Sequence, residues 1–317
     1  MIIPSIKTVF IDVPKVGSSS MTHFLMRAFQ FLPNQSSVNS AWNTSLCPGQ
    51  SRLVLNNNNT LNFTGVRHEP LISCYKNIPD FHDYFFFSMV RNPFDRFKSF
   101  VYETLLYSRF KYKQHHFVSR DYVNSLYDDP WYINGRHKEQ SEKSQFSLLI
   151  NHLNIIKSKG WENMNLCSMP VHVWPQVYFL SLKTPQPYTL RILPVEKINL
   201  WIDDFKNELS IKSGLNVTDL SFPNIDPVPL TIFTEKSNMD SIKTIPHNDE
   251  WELKIHAYAS MSPDFEFQSK YPTYTSFIKD YKEAKADIHE RYEQFLEDNR
   301  NLIESVYHDD MVTYGYA

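Results

Sequence analysis

Residues 7–31 place an apolar run, a proline-bounded loop and a helical repeat in immediate succession. Thr8 to Val13 is short, apolar and rich in β-branched residues, the composition of a buried strand. Pro14 ends it, because proline has no N–H for a ladder bond. Met21, Phe24, Leu25, Ala28 and Phe29 then recur at helical spacing. A helix is therefore expected from Ser19 or Ser20, with a serine as its N-cap. The loop between strand and helix holds Lys15, Gly17 and the hydroxyls of Ser18, Ser19 and Ser20. Such a loop aims backbone N–H groups and the positive end of a helix dipole at one point, which suits a phosphate. An ordinary βα turn with a serine cap would look the same from the loop alone.

A second unit of the same kind follows. Tyr84 to Val90 is continuously apolar and reads as a central parallel strand buried on both faces. Arg91 and Asn92 follow it, and Pro93 is placed for the first turn of a helix. Phe94, Phe97, Val101 and Leu105 give that helix an apolar stripe. An arginine at a strand's carboxyl end and a hydroxyl two turns along the next helix, here Arg91 and Ser99, can converge on one phosphate. Arg96 reads as a partner of Asp95 or Glu103, or as a packing residue. A third strand is expected over Tyr188 to Leu193, followed by a helix carrying Ile198, Trp201, Ile202, Phe205 and Leu209.

Several classes of function are disfavoured. The loop is not a nucleoside-triphosphate P-loop, since that pattern puts its lysine after a second glycine and here Lys15 precedes Gly17. A P-loop kinase also needs an aspartate at a neighbouring strand end to hold magnesium, where this chain has Val90-Arg91. The net charge of −3 argues against a general nucleic-acid binder. It leaves room for a local basic groove, for which Arg109 to Arg120 and Arg136 to Lys138 are candidates. Three cysteines make a disulfide framework improbable. No apolar run reaches the roughly 18 residues of a membrane span, and no signal peptide precedes the first strand. The chain is thus expected to be soluble as written.

Pro14-Lys15-Val16-Gly17-Ser18-Ser19-Ser20 resembles the Pro-Lys-Thr-Gly-Gly-Thr-Ser loop of the Golgi carbohydrate sulfotransferases, the heparan sulfate 2-O-sulfotransferases and the chondroitin and dermatan enzymes among them. Val90 to Ser99 resembles that family's Val-Arg-Asp-Pro-Phe-Glu-Arg-Leu-Val-Ser box. His172-Val173-Trp174-Pro175-Gln176 is similar to its His-Trp-x-Pro-Gln segment, and Pro194 to Lys197 to its Val-Gly-x-Val-Glu segment. The end, Tyr307 to Tyr316, resembles its closing Tyr-x-x-Asp-Phe-x-x-Phe-Gly-Tyr, with a structural role expected.

The resemblance implies a PAPS-dependent sulfotransferase (PAPS is 3′-phosphoadenosine 5′-phosphosulfate) that needs no metal. It implies that Lys15, Val16, Gly17, Ser18, Ser19 and Ser20 hold the 5′-phosphosulfate and that Arg91 and Ser99 hold the 3′-phosphate. Lys236 and Ser237 lie where the family has a nucleotide-side Lys-Ser/Thr stretch. Lys15 would also act in catalysis. His68 stands where the family has its proposed base, and histidine suits proton removal near neutral pH. His172 is the other candidate; a surface His68 bonded to Glu69 is the plain reading. The implied fold is α/β, a P-loop-like three-layer arrangement with a central, mostly parallel sheet flanked by helices. One domain is expected over residues 1–317, with a surface excursion at 33–64, a loop-rich stretch or insertion at 213–275 and a helical segment at 276–308. The implied acceptor is a glycan, and, since Golgi members of the family have an N-terminal membrane anchor, the resemblance implies the Golgi lumen if an anchor has been removed. A small alcohol, phenol or amine fits the same chemistry, and a non-catalytic nucleotide- or glycan-binding module fits the same motifs.

Overall fold

The structure is a computed structural model that describes residues 1–29, 32–33, 52–55, 60–64, 68, 70–72, 74, 78, 80–109, 142–163, 171–181, 189–222 and 274–317. In chain order the strands are β1 (Ile2–Ile3), β2 (Thr8–Ile11), β3 (Leu32–Pro33), β4 (Arg52–Leu55), β5 (Thr60–Thr64), β6 (Phe85–Val90) and β7 (Thr189–Pro194). The helices are α1 (Ser18–Ala28), α2 (Pro93–Arg109), α3 (Glu142–Lys159), α4 (Gln176–Leu180), α5 (Ile198–Ser213), α6 (Tyr274–Asp298), α7 (Arg300–Val306) and α8 (His308–Thr313).

Among the described residues the strands form one sheet in the order β3-β5-β4-β1-β2-β6-β7. Pairings β3–β5, β1–β4, β2–β6 and β6–β7 are parallel, and β1–β2 and β4–β5 are antiparallel. The fold is therefore α/β with a mostly parallel sheet. β6 has parallel partners on both sides, as its apolar run requires, and Phe86 to Val90 are all buried. It lies one strand in from the β7 edge rather than at the centre.

Two boundaries differ from expectation. β2 stops at Ile11, two residues before Val13, where the Val13 N–H turns back to the Ile11 carbonyl at 3.2 Å. Ser88 Oγ donates to that same carbonyl at 2.7 Å, so a side chain takes over where the ladder ends. The stretch 33–64, read as a surface excursion, supplies β4 and β5 to the sheet. Its asparagine tract at 56–59 lies outside the described residues.

The core follows the apolar periodicities. Phe10 and Phe87, opposite one another in register, stack at 5.2 Å, and Phe205 of α5 packs on Phe87 at 4.8 Å. Phe222 touches both Phe24 of α1 and Trp201 of α5, which brings these two helices together. Phe94, Phe97, Val101 and Leu105 form the expected buried stripe of α2. The apolar steps from 277 onward are carried by α6 and α7, which break at Asn299 and pack against α2. No helix among the described residues is long and apolar enough to cross a membrane.

Candidate active site

The loop after β2 is shaped by two left-handed residues, Lys15 with φ 65° and Gly17 with φ 78°. A Cβ on Gly17 would sit 3.2 Å from Val195 Cγ2 and 3.3 Å from Met89 Cε. Glycine is thus needed twice over, for its backbone conformation and for the close approach of the loop to the ends of β6 and β7. Gly17 also accepts the Met21 N–H at 3.1 Å, the first bond of α1. The helix accordingly begins at Ser18, and the expected serine N-cap is replaced by Gly17. That shift makes the Ser18, Ser19 and Ser20 amides the first three of the helix, which have no carbonyl one turn before them. Val16 is fully buried, so it offers the site only its backbone, while Ser18 and Ser20 are buried with small side chains.

The turn after β6 is held by the first amides of α2, by Glu196 and by Gln176. Asn92 Oδ1 accepts from Phe94 N–H at 2.9 Å and Asp95 N–H at 3.3 Å and so caps α2. The Asn92 N–H donates to Glu196 at 2.6 Å, and the other oxygen of that carboxylate accepts from the Tyr316 hydroxyl at 2.7 Å. Burial, and then this hydrogen bond, push the Tyr316 phenol far above its ordinary range, while the nearby Arg91 charge acts in the opposite sense. Gln176 grips Arg91 through the backbone, and Asp310 in turn accepts from the Gln176 and Val177 N–H groups at 2.8 Å each. The closing segment is thereby tied to this turn through Asp310 and Tyr316. Ser99 lies seven residues beyond Asn92 and therefore two turns up the same face of α2, half-buried.

Lys15 and Arg91 leave the same edge of the sheet. The last register pair of β2 and β6 is Ile11 with Ser88, and Lys15 and Arg91 follow it by four and three residues on neighbouring parallel strands. Arg96 locks the two halves together. Its guanidinium is buried, with one nitrogen 3.4 Å from both the Pro14 and His172 carbonyls and another 2.5 Å from the Trp174 carbonyl. It also lies 5.5 Å from the centre of the Tyr307 ring. Of the readings of Arg96, a packing role is supported by its hydrogen bonds to backbone carbonyls; the Glu103 side chain lies outside what is described.

His68 is not a surface residue. It is 4% exposed and left-handed at φ 67°. Its Nδ1 lies 2.9 Å from the Asp12 carbonyl oxygen and 3.2 Å from Asp12 Oδ1. The plain reading of a surface histidine is overturned by this burial; its bond to Glu69 falls on a residue outside the described ones. His172 sits on a short 3₁₀ turn, Val171–Val173, with its ring stacked on Phe100 at 5.7 Å. The two histidine rings meet edge to face at 5.6 Å, so both candidate bases occupy one neighbourhood. A non-glycine residue in this backbone region costs roughly 1–3 kcal/mol and concentrates at functional sites. Lys15 and His68 are two of the four such residues among those described.

Lys236, Ser237 and both basic stretches beyond Arg109 lie outside the described residues. Asp12 and Gln176 were not anticipated. Asp12 hides in an apolar run where a lone carboxylate has no periodic signal, and Gln176 carries no charge. Among the described residues no group of three or more histidine, cysteine, aspartate or glutamate side chains is arranged to hold a metal ion.

A family model described as the sulfotransferase family matches residues 1–187, which include Lys15, His68, Arg91 and His172. No curated protein and no solved structure matches the chain. With the match extending over more than half of its length, the chain belongs to the sulfotransferase family.

Proposed function

We propose that the chain is a PAPS-dependent sulfotransferase, built as a single P-loop-like domain, that moves a sulfuryl group to a hydroxyl of a carbohydrate. One observation carries the reading: Lys15 and Arg91 extend from the carboxyl ends of register-paired parallel strands, where open α/β sheets bind ligands. The residues fit a doubly phosphorylated nucleotide in kind. The glycine-cradled helix start offers amides to one phosphate, and the arginine turn offers a cation and a hydroxyl to another.

PAPS supplies the sulfuryl group: the bond from sulfur to its 5′-phosphate oxygen breaks as the acceptor oxygen bonds to sulfur, leaving 3′-phosphoadenosine 5′-phosphate. The amides of Ser18, Ser19 and Ser20 and the backbone of Val16 and Gly17 would hold the 5′-phosphate. Lys15 offers its ammonium group to the oxygen that gains negative charge. Arg91 and Ser99 would select the 3′-phosphate, with Lys236 and Ser237 as further contacts. His68 takes the acceptor's proton at Nε2, because Nδ1 is engaged by Asp12. That pairing favours His68 over His172 as the base. Positioning and preorganised charge suffice for such a transfer, with no metal in the scheme.

Incubation with sulfur-labelled PAPS and a panel of glycans should give labelled glycan and stoichiometric 3′-phosphoadenosine 5′-phosphate. Nucleotide binding without transfer to any acceptor would make the chain a binding module. Label found only on small alcohols, phenols or amines would overturn the carbohydrate assignment.

A further inference from the structure

We infer that Asp12 is a positioning residue for the base, its buried carboxylate orienting His68 and balancing the positive charge that the ring acquires during transfer. The inference rests on the reading of His68 as proton acceptor. Asp12 is 7% exposed and immediately follows the last residue of β2, so its backbone is anchored by the sheet. It meets the same ring nitrogen of His68 twice: its carbonyl is hydrogen-bonded to Nδ1 at 2.9 Å, and its carboxylate Oδ1, buried and not hydrogen-bonded, lies 3.2 Å from it. A carbonyl oxygen can only accept, so Nδ1 carries the proton, which leaves the Nε2 lone pair for the acceptor hydroxyl. The carbonyl alone is enough to set this tautomer. The carboxylate adds charge.

When the proton of the acceptor O–H moves to Nε2, the oxygen bonds to sulfur and the ring becomes an imidazolium with hydrogens on both nitrogens. A carboxylate 3.2 Å away, in a region nearly closed to water, then faces a full positive charge where before it faced a dipole. Its attraction is therefore greater in the transition state than in the ground state, which is the condition for raising turnover. Among the described residues, two other polar groups lie near the ring. His172 meets His68 edge to face, and the Arg96 guanidinium is directed at carbonyl oxygens. The left-handed backbone at His68 is consistent with a ring held in place by these contacts.

The test uses Asp12→Asn, which keeps the shape and removes the charge. Turnover should fall by at least about tenfold, a part of what a whole general base supplies. KM for PAPS and acceptor should stay within about twofold, the pattern of an interaction made only in the transition state. Calorimetric titration with 3′-phosphoadenosine 5′-phosphate should be unchanged. In the wild-type protein, ¹⁵N spectra of the neutral His68 ring should show Nδ1 protonated and Nε2 bare. Wild-type turnover in Asp12→Asn, together with loss of activity in His68→Ala, would overturn the role of Asp12 and leave the sulfotransferase reading standing. Full activity in His68→Ala would overturn the base assignment itself. Should the asparagine variant not fold, Asp12→Ser, which also removes the charge, is assayed in its place, and a wild-type ring protonated at Nε2 sinks the inference whatever the variants show.

Discussion

Gln176 and Arg91 exchange a reciprocal pair of hydrogen bonds. The Arg91 N–H donates to Gln176 Oε1 at 2.9 Å, and Gln176 Nε2 donates to the Arg91 carbonyl at 2.9 Å. A side-chain amide thus continues the ladder one residue beyond β6 and fixes the direction in which the arginine leaves the sheet. Gln176→Ala should leave both Arg91 groups without that partner, costing about 1–3 kcal/mol. Chemical denaturation reads the stability loss. A parallel drop in affinity for 3′-phosphoadenosine 5′-phosphate is expected from the freed turn.

Arg91→Ala should weaken binding of 3′-phosphoadenosine 5′-phosphate far more than binding of adenosine 5′-monophosphate. A hydrogen bond to a charged group is worth roughly 1.5–3 kcal/mol, so a loss of about tenfold or more is expected for the first ligand. Calorimetric titration of both nucleotides measures it. Equal losses would contradict the 3′-phosphate assignment.

Lys15→Ala should cut turnover by about 10²-fold or more, the typical effect of removing one preorganised donor from a developing charge. Labelled-sulfate transfer under saturating PAPS is the readout, and an unchanged rate would remove Lys15 from the mechanism.

Gly17→Ala should damage the loop although it adds one methyl group. The new Cβ would press on Val195 and Met89, and alanine is strained at φ 78°. A stability loss of more than about 1 kcal/mol is expected, together with weakened nucleotide binding. A variant with wild-type melting and affinity would show that the cradle is not as tight as the contacts indicate.

Asp310 should make the protein's stability fall as pH rises. Burial, the leading cause, raises its carboxyl above the ordinary carboxylate value, against the opposing Arg96 charge and the Gln176 and Val177 N–H bonds. The folded state therefore binds this proton more tightly than the unfolded chain does. The contribution is fully present below the unfolded value and is lost as pH climbs through the raised folded one. Asp310→Asn should flatten that slope in urea unfolding measured from about pH 4 to pH 8, and an unaltered slope would place the effect elsewhere.

Much of the site could be read from the chain because its parts are local. Pro14 to Ser20 and Arg91 to Ser99 are each a strand end, a short turn and a helix start, and such units are encoded by neighbours in sequence. The buried stripe of α2 and the parallel setting of β6 follow from periodicity and an unbroken apolar run. The beginning of α1 was misjudged by one or two residues, because three consecutive serines are all good caps and only the packing of Gly17 against Val195 and Met89 decides among the positions. The strands in 33–64 are only four and five residues long, Arg-Leu-Val-Leu and Thr-Leu-Asn-Phe-Thr, so their apolar and alternating patterns are too brief to stand out from the surrounding asparagines and serines.

What the sequence determined by itself is the kind of chemistry: two cationic turns at strand ends, one glycine that must be a glycine, and histidines of the right type. Tertiary structure alone decided how these meet. Asp12 reaches His68 across 56 positions of chain, Arg96 joins Pro14 to His172 and Trp174, and Gln176 finds Arg91 across 85. Each of these contacts joins residues with no spacing rule between them. They form because buried polar groups must find partners wherever the sheet and helices bring them together.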